Sequence, residues 1–122
     1  MPTVLVVDDD EAVRTLLSRF FGKKGYAVRA AESAEEALGV LEKERIHVVL
    51  LDIVLPGISG LDALRRIRIT WPDLPVVMIS GQDDEDVAKE TLRYGAFDYV
   101  VKPLDFEYLE RTVYLKLMQR LG

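Results

Sequence analysis

The stretch Ile46-His47-Val48-Val49-Leu50-Leu51-Asp52 is unbroken aliphatic from Val48 through Leu51 and closes on a single carboxylate. A strand with one face in water alternates apolar and polar residues. This one does not, so Ile46–Leu51 reads as a strand covered on both faces, as in a parallel sheet. Outward from it, similar runs stand at Val4–Val7, Val28–Ala31, Val76–Ile79 and Tyr99–Val101. Between the runs the apolar period becomes helical. Val13, Leu16, Leu17, Phe20 and Phe21 share one helical stripe, as do Ala34, Ala37, Leu38 and Leu41. Ser33 with Glu36 three residues on makes a capping box for the second helix. Ser59 and Asp62 open a third that carries Leu61, Leu64 and Ile67, with Trp71-Pro72 at its end. The acids of Asp83–Asp86 suit the positive end of a fourth helix, and Gly95 suits its close. Asp105 caps a fifth, turning Leu109, Val113, Leu117 and Leu121 inward.

Strand and helix thus alternate through the chain, which predicts an α/β fold: a doubly wound (βα)5, flavodoxin-like parallel sheet with helices on both faces. The first, third and fourth runs are almost purely aliphatic and belong in the middle. The second is interrupted by Arg29 and the fifth is short, flanked by Asp98 and Lys102, so these two are edges. Strand order 2-1-3-4-5 follows, with ligands expected outside the carboxyl ends of the strands near the order reversal.

A length of 122 residues predicts one domain over 1–122, with connections too short for a second domain or a flexible linker and no output domain expected within it. The 49% hydrophobic content suits a buried core. No apolar run approaches the roughly 18 residues of a membrane span. The start Met1-Pro2-Thr3-Val4 lacks a signal-peptide pattern, so a cytoplasmic location is expected. The absence of cysteine excludes disulfides, thiolate metal sites and cysteine nucleophiles, and the single His47 leaves little for a histidine metal site. A formal charge of −5 disfavours broad binding to nucleic acid or anionic lipid.

Polar groups gather where the runs end: Asp8-Asp9-Asp10 after the first, Asp52 after the third, Ser80-Gly81 after the fourth, Lys102-Pro103 after the fifth. Parallel strands deliver all of them to one edge of the sheet. Carboxylates so gathered repel one another, by about 4 kcal/mol per pair at 4 Å and an effective dielectric near 20. Lys102 offers one compensating charge, and a hard divalent cation such as Mg²⁺ is the natural complement to oxygen ligands. A carboxylate, a cation, a hydroxyl and an ammonium around one point are the parts of phosphoryl transfer to a carboxylate. Asp52, alone at the end of a central strand, reads as the nucleophile, and Asp8 and Asp9 as metal ligands.

With these residues in order, the chain resembles the receiver domain of bacterial response regulators over nearly its full length. The resemblance rests on Val6-Val7-Asp8-Asp9, on Leu51-Asp52-Ile53-Val54-Leu55-Pro56-Gly57 ending in Gly60, on Ser80-Gly81, and on Tyr99 with Lys102-Pro103. The set is specific through its order and spacing. The resemblance implies a phosphorelay switch: Asp52 is the phosphoacceptor, taking its phosphoryl group from a phosphohistidine of a sensor kinase or phosphotransfer protein. It implies Mg²⁺, with Mn²⁺ able to stand in, bound by Asp9, Asp52 and the backbone carbonyl of Val54, and by Asp8 through water. Ser80 and Lys102 would bond the phosphoryl oxygens, and Tyr99 would swing inward as Ser80 moves. Lys102-Pro103 would be a cis peptide. Val54 and Gln82, two residues past Asp52 and Ser80, would tune hydrolysis of the acyl phosphate, and the aliphatic Val54 implies slow self-dephosphorylation without steady enzymatic turnover. The wording from Tyr94 through Leu104 is similar to receivers of transcriptional regulators.

Plainer readings apply elsewhere. Asp10 is the N-cap of the first helix, His47 lies far from the acids, and Arg65, Arg66 and Arg68 form a solvated face. Tyr108, Leu115 and Met118 fall on the outer side of the fifth helix. There they suggest a partner surface, with the fourth helix and fifth strand, for phosphorylation-dependent dimerisation. Three rival readings fit the residues less well. A haloacid-dehalogenase-type phosphatase needs a second acid where Val54 stands. A flavin carrier needs a phosphate loop where Asp8-Asp9-Asp10 would repel phosphate. A degenerate receiver would act only as an interaction module.

Overall fold

In the first strand Leu5 and Val7 face one side of the sheet and Val4 and Val6 the other, and this period of two divides the core into halves. The computed structural model describes residues 1–121, and the side chains of residues 1–119. Strands β1 (Thr3–Val7), β2 (Ala27–Ala31), β3 (Val48–Asp52), β4 (Val76–Ser80) and β5 (Asp98–Val101) alternate with helices α1 (Glu11–Lys23), α2 (Ala34–Lys43), α3 (Gly60–Thr70), α4 (Glu85–Arg93) and α5 (Phe106–Leu121). All strand pairs are parallel, in the order β2-β1-β3-β4-β5. The expected fold and its two edge strands are both present.

One half of the core sets Leu5, Val7, Val49, Leu51, Val76 and Met78 against Ala37 and Leu41 of α2 and Ala63, Leu64 and Ile67 of α3. The other sets Val4, Val6, Val48, Leu50, Val77 and Ile79 against Leu17 and Phe21 of α1 and Leu109, Val113 and Leu117 of α5. Every residue of β3 and β4 is buried, which a double-sided cover requires. Caps fall as the sequence indicates: Asp10, Ser33, Ser59 and Asp84 each accept a backbone N–H in the first turn of their helix. Asp105 accepts from Tyr108 at the start of α5. Gly95, after α4, has φ of 98°, and Lys102-Pro103 is cis.

The structure corrects four details. β3 begins at Val48 rather than Ile46, because its ladder with β1 starts at Val4 opposite Val48. There His47 turns its Nδ1 back to accept the Thr3 N–H at 3.0 Å. Asp52 and Ser80 are the last residues of their strands rather than the first beyond them, since the register pairs Asp52 with Ile79 and Ser80 with Val101. Leu16 is exposed, not inward: the buried line of α1 runs through Leu17 and Phe21, and Leu16 sits at the rim of a cleft of about 290 Å³ with Val13, Pro103, Leu104 and Phe106. Arg68 is no solvated side chain. Its guanidinium donates to the carbonyls of Trp71, Pro72 and Leu74, and so ties down the turn that follows α3. Arg65 stacks on the Tyr94 ring, 4.2 Å from its centroid. The inward placement expected for Leu121 lies outside the described side chains.

Candidate functional site

The carboxyl ends of β1, β3, β4 and β5 meet at one rim. Asp8, Asp9 and Asp10 follow β1, Asp52 and Ser80 close β3 and β4, and Lys102 follows β5. One carboxylate oxygen from each of Asp8, Asp9 and Asp52 lies within 4.8 Å of the other two. Asp8 and Asp52 are buried and Asp9 is exposed, so the cluster opens to solvent on the Asp9 side.

Lys102 stands over the two buried acids. Its Nζ is 3.1 Å from Asp8 Oδ2 and 3.1 Å from Asp52 Oδ2. It donates a hydrogen bond to Asp52. Toward Asp8 the contact is an ion pair, and the buried Asp8 Oδ2 has no other partner. The remaining oxygens are served by the backbone: Asp8 Oδ1 accepts the Asp10 N–H at 2.9 Å, and Asp52 Oδ1 the Val54 N–H at 3.0 Å.

The electrostatics follow. Burial pushes the Asp52 carboxyl above the ordinary carboxylate range, and the Asp8 charge pushes the same way. The Val54 N–H and Lys102 oppose them without prevailing. Burial alone would lower the Lys102 ammonium, but its contacts with Asp8 and Asp52 outweigh this and hold it above its usual value. One ammonium therefore pairs with two of three clustered carboxylates, and the set keeps an excess of negative charge. An all-oxygen set with excess negative charge and an open side fits a hard divalent cation.

The other expected residues surround this cluster. Val54 presents its side chain to solvent at 65% exposure, at the mouth of the site. Ser80 is buried, and its Oγ accepts the Gln82 N–H at 3.0 Å. Tyr99 is half-buried, and its hydroxyl donates to the Gln82 carbonyl at 2.8 Å. Gln82 itself is exposed, so its backbone is what joins Ser80 to Tyr99. Gly60 opens α3 directly against Asp52: a Cβ there would sit 2.0 Å from the Asp52 carbonyl oxygen and 2.6 Å from Ile53 Cα. Only a residue without a side chain fits.

Sequence reasoning missed Arg14. From α1 its Nη1 donates to the Asp8 carbonyl at 2.8 Å, and its Nη2 lies 4.0 Å from Glu32 Oε2. The available signal was a basic residue one helical turn after the N-cap Asp10, directly behind the acidic run.

Comparison with known proteins agrees with this geometry. Residues 4–114 match the response regulator receiver domain family. The chain is 37% identical over 113 residues to the transcriptional regulatory protein AfsQ1 of Streptomyces coelicolor, covering 93% of this chain and 50% of that protein. It is 40% identical over 115 residues to the transcriptional regulatory protein MalR of Bacillus subtilis, covering 93% and 49%. The chain thus spans about half the length of these curated relatives. Among solved structures, a CheY-like response regulator receiver domain protein from Methanospirillum hungatei superposes with a TM-score of 0.94 at 28% identity, over 100% of this chain and 99% of that one. Among the described residues no helix is long and apolar enough to cross a membrane. An acidic rim on a five-stranded parallel sheet, matched in sequence and in shape from β1 into α5, places the chain in the response regulator receiver domain family, a family of signalling domains.

Proposed function

We propose that this domain is a phosphorylation-activated switch that accepts a phosphoryl group on the Asp52 carboxylate from a phosphohistidine of a sensor kinase or phosphotransfer protein. The observation that carries the reading is the cluster itself: three carboxylates within 4.8 Å, two of them buried and paired with one ammonium, the third open to solvent. Asp8, Asp9, Asp52 and the Val54 carbonyl would hold Mg²⁺, or Mn²⁺ in its place. Bound there, the ion supplies positive charge against the phosphoryl oxygens. The Asp52 carboxylate attacks phosphorus in line as the phosphorus–nitrogen bond breaks, and the electron pair remains on the imidazole of the donor. Lys102, already bonded to Asp52, stays beside the transferred group and pairs with its oxygens.

Phosphorylation adds about −1.5 to −2 charge and three strong acceptors at one point. Ser80 Oγ turns toward them and leaves the Gln82 N–H, and Tyr99 exchanges its bond to the Gln82 carbonyl for the space Ser80 vacates. The surface of α4, β5 and α5 changes in consequence. On it Leu92, Phe97, Tyr108, Leu115 and Met118 are exposed, which supports a phosphorylation-dependent homodimer through this face. Sedimentation with and without beryllofluoride tests the dimer; a monomer in both removes it.

Incubation with acetyl phosphate and Mg²⁺, followed by intact mass and peptide mapping, tests the central reading. The expected result is a gain of about 80 Da, one phosphoryl group, on the peptide that holds Asp52, absent in Asp52→Asn. A chain that takes no phosphate would instead be an interaction module, and phosphate on another residue would overturn the assignment of Asp52.

A further inference from the structure

The cation position assumed above needs Asp9, and Asp9 is exposed, so packing does little to hold its carboxylate in place. Its location depends on the backbone of the turn after β1. That turn is tied at several points: the Asp8 N–H donates to the Ala31 carbonyl at 3.1 Å, the Asp10 N–H to Asp8 Oδ1 at 2.9 Å, and the Ala12 N–H to Asp10 Oδ1 at 2.9 Å. The Asp8 carbonyl lies beyond the end of the strand, and Arg14 Nη1 donates to it at 2.8 Å. The Arg14 side chain is only 18% exposed, and Glu32, just past β2, faces its other nitrogen at 4.0 Å. Arg14 is thus a side-chain strut reaching the Asp8–Asp9 peptide from α1.

We propose that Arg14 is a positioning residue for the divalent cation: by fixing the Asp8 carbonyl it sets the Asp8–Asp9 peptide plane and so delivers the Asp9 carboxylate to the cluster. The inference rests on the Mg²⁺ site of the proposed function. It also carries a distinctive sign. A guanidinium near a cation site repels the cation, so a purely electrostatic role predicts tighter Mg²⁺ binding when Arg14 is removed. A positioning role predicts weaker binding, because the ligand loses its support.

The test is calorimetric titration of the full chain with Mg²⁺ alone, for wild type, Arg14→Ala, Arg14→Lys and Asp9→Asn, with amide hydrogen exchange at Asp9 and Asp10 as a second readout. Arg14→Ala is expected to weaken Mg²⁺ binding on the order of tenfold, the size of effect common for partners that orient metal ligands. Exchange at Asp9 and Asp10 is expected to quicken. A role confined to general stability would leave the Mg²⁺ affinity of the folded protein unchanged. Affinity in Arg14→Ala equal to or tighter than wild type overturns the proposal. Should Arg14→Ala fail to fold, Arg14→Lys decides by the same criterion, since it keeps the charge and loses the fork. If wild type takes up no Mg²⁺, the proposed function falls and this inference falls with it. If wild type binds, Asp9→Asn weakens binding and the Arg14 variants do not, only the Arg14 assignment is overturned.

Discussion

Lys102 Nζ donates to Asp52 Oδ2 at 3.1 Å, across 50 positions of sequence, while standing equally close to Asp8 Oδ2. One ammonium thereby separates two buried acids that would otherwise face each other. Lys102→Met removes it and leaves their repulsion uncompensated. With a discount for the partial exposure of Lys102, the expected loss is about 1–3 kcal/mol in urea unfolding with chelator present. Adding Mg²⁺ should return much of it. An equal loss with and without Mg²⁺ would contradict the shared electrostatic role.

Asp52 gives a pH-dependent test. Its folded-state pKa lies above the ordinary carboxylate value, chiefly through burial. Ionising it in the folded protein is therefore unfavourable, and stability present at low pH is lost as pH rises through that raised pKa. Asp52→Asn does not ionise. In chelator its thermal midpoint should exceed wild type at pH 7 by about 3–6 °C, corresponding to roughly 1 kcal/mol. The gap should narrow on acidification, as the wild-type Asp52 carboxyl takes up its proton. A gap that widens on acidification would show the opposite sign of shift.

Gly60 makes a steric prediction. A methyl group there collides with the Asp52 carbonyl, which cannot yield without moving the proposed phosphoacceptor. Gly60→Ala should cost about 2–3 kcal/mol, as overpacked sites do. It should also slow phosphorylation by acetyl phosphate even where the protein is fully folded. Wild-type rates in folded Gly60→Ala would show that the contact relaxes away from Asp52.

Val54 lies at the open mouth of the cluster with an aliphatic side chain that cannot orient water. Val54→Asn places an amide there, able to hold a water in line with the acyl phosphate. The half-life of the phosphorylated form should shorten severalfold, read by decay of the phosphorylated mass. An unchanged half-life would remove Val54 from the control of hydrolysis.

The fold was legible because its signal is one-dimensional. Val48 through Leu51 can only be a strand buried on both faces, and the Asp10, Ser33, Ser59 and Asp105 caps announce helix starts through local hydrogen bonds. The acidic rim was legible too, because parallel strands bring their ends together whatever lies between. What escaped were contacts set by packing angle. Leu16 fits the apolar stripe of α1, yet its face of the helix turns past the core toward Leu104 and Phe106. Arg68 looks like its charged neighbours until the turn after α3 supplies three carbonyls within its reach. Arg14 bonds a backbone carbonyl, and its place one turn after Asp10 hints at a basic neighbour of the acids without revealing that acceptor.

Trp71 caps the far end of α3 and lines a hollow with Leu41, Glu44 and Ile46, at the amino ends of the strands and thus a sheet's length from Asp52. As the sole indole in the chain, it makes ultraviolet emission a gauge of whether the molecule is folded and leaves it blind to events among the aspartates. An optical reporter of those events has to be engineered at the opposite rim, and the native fluorophore then serves as its internal control.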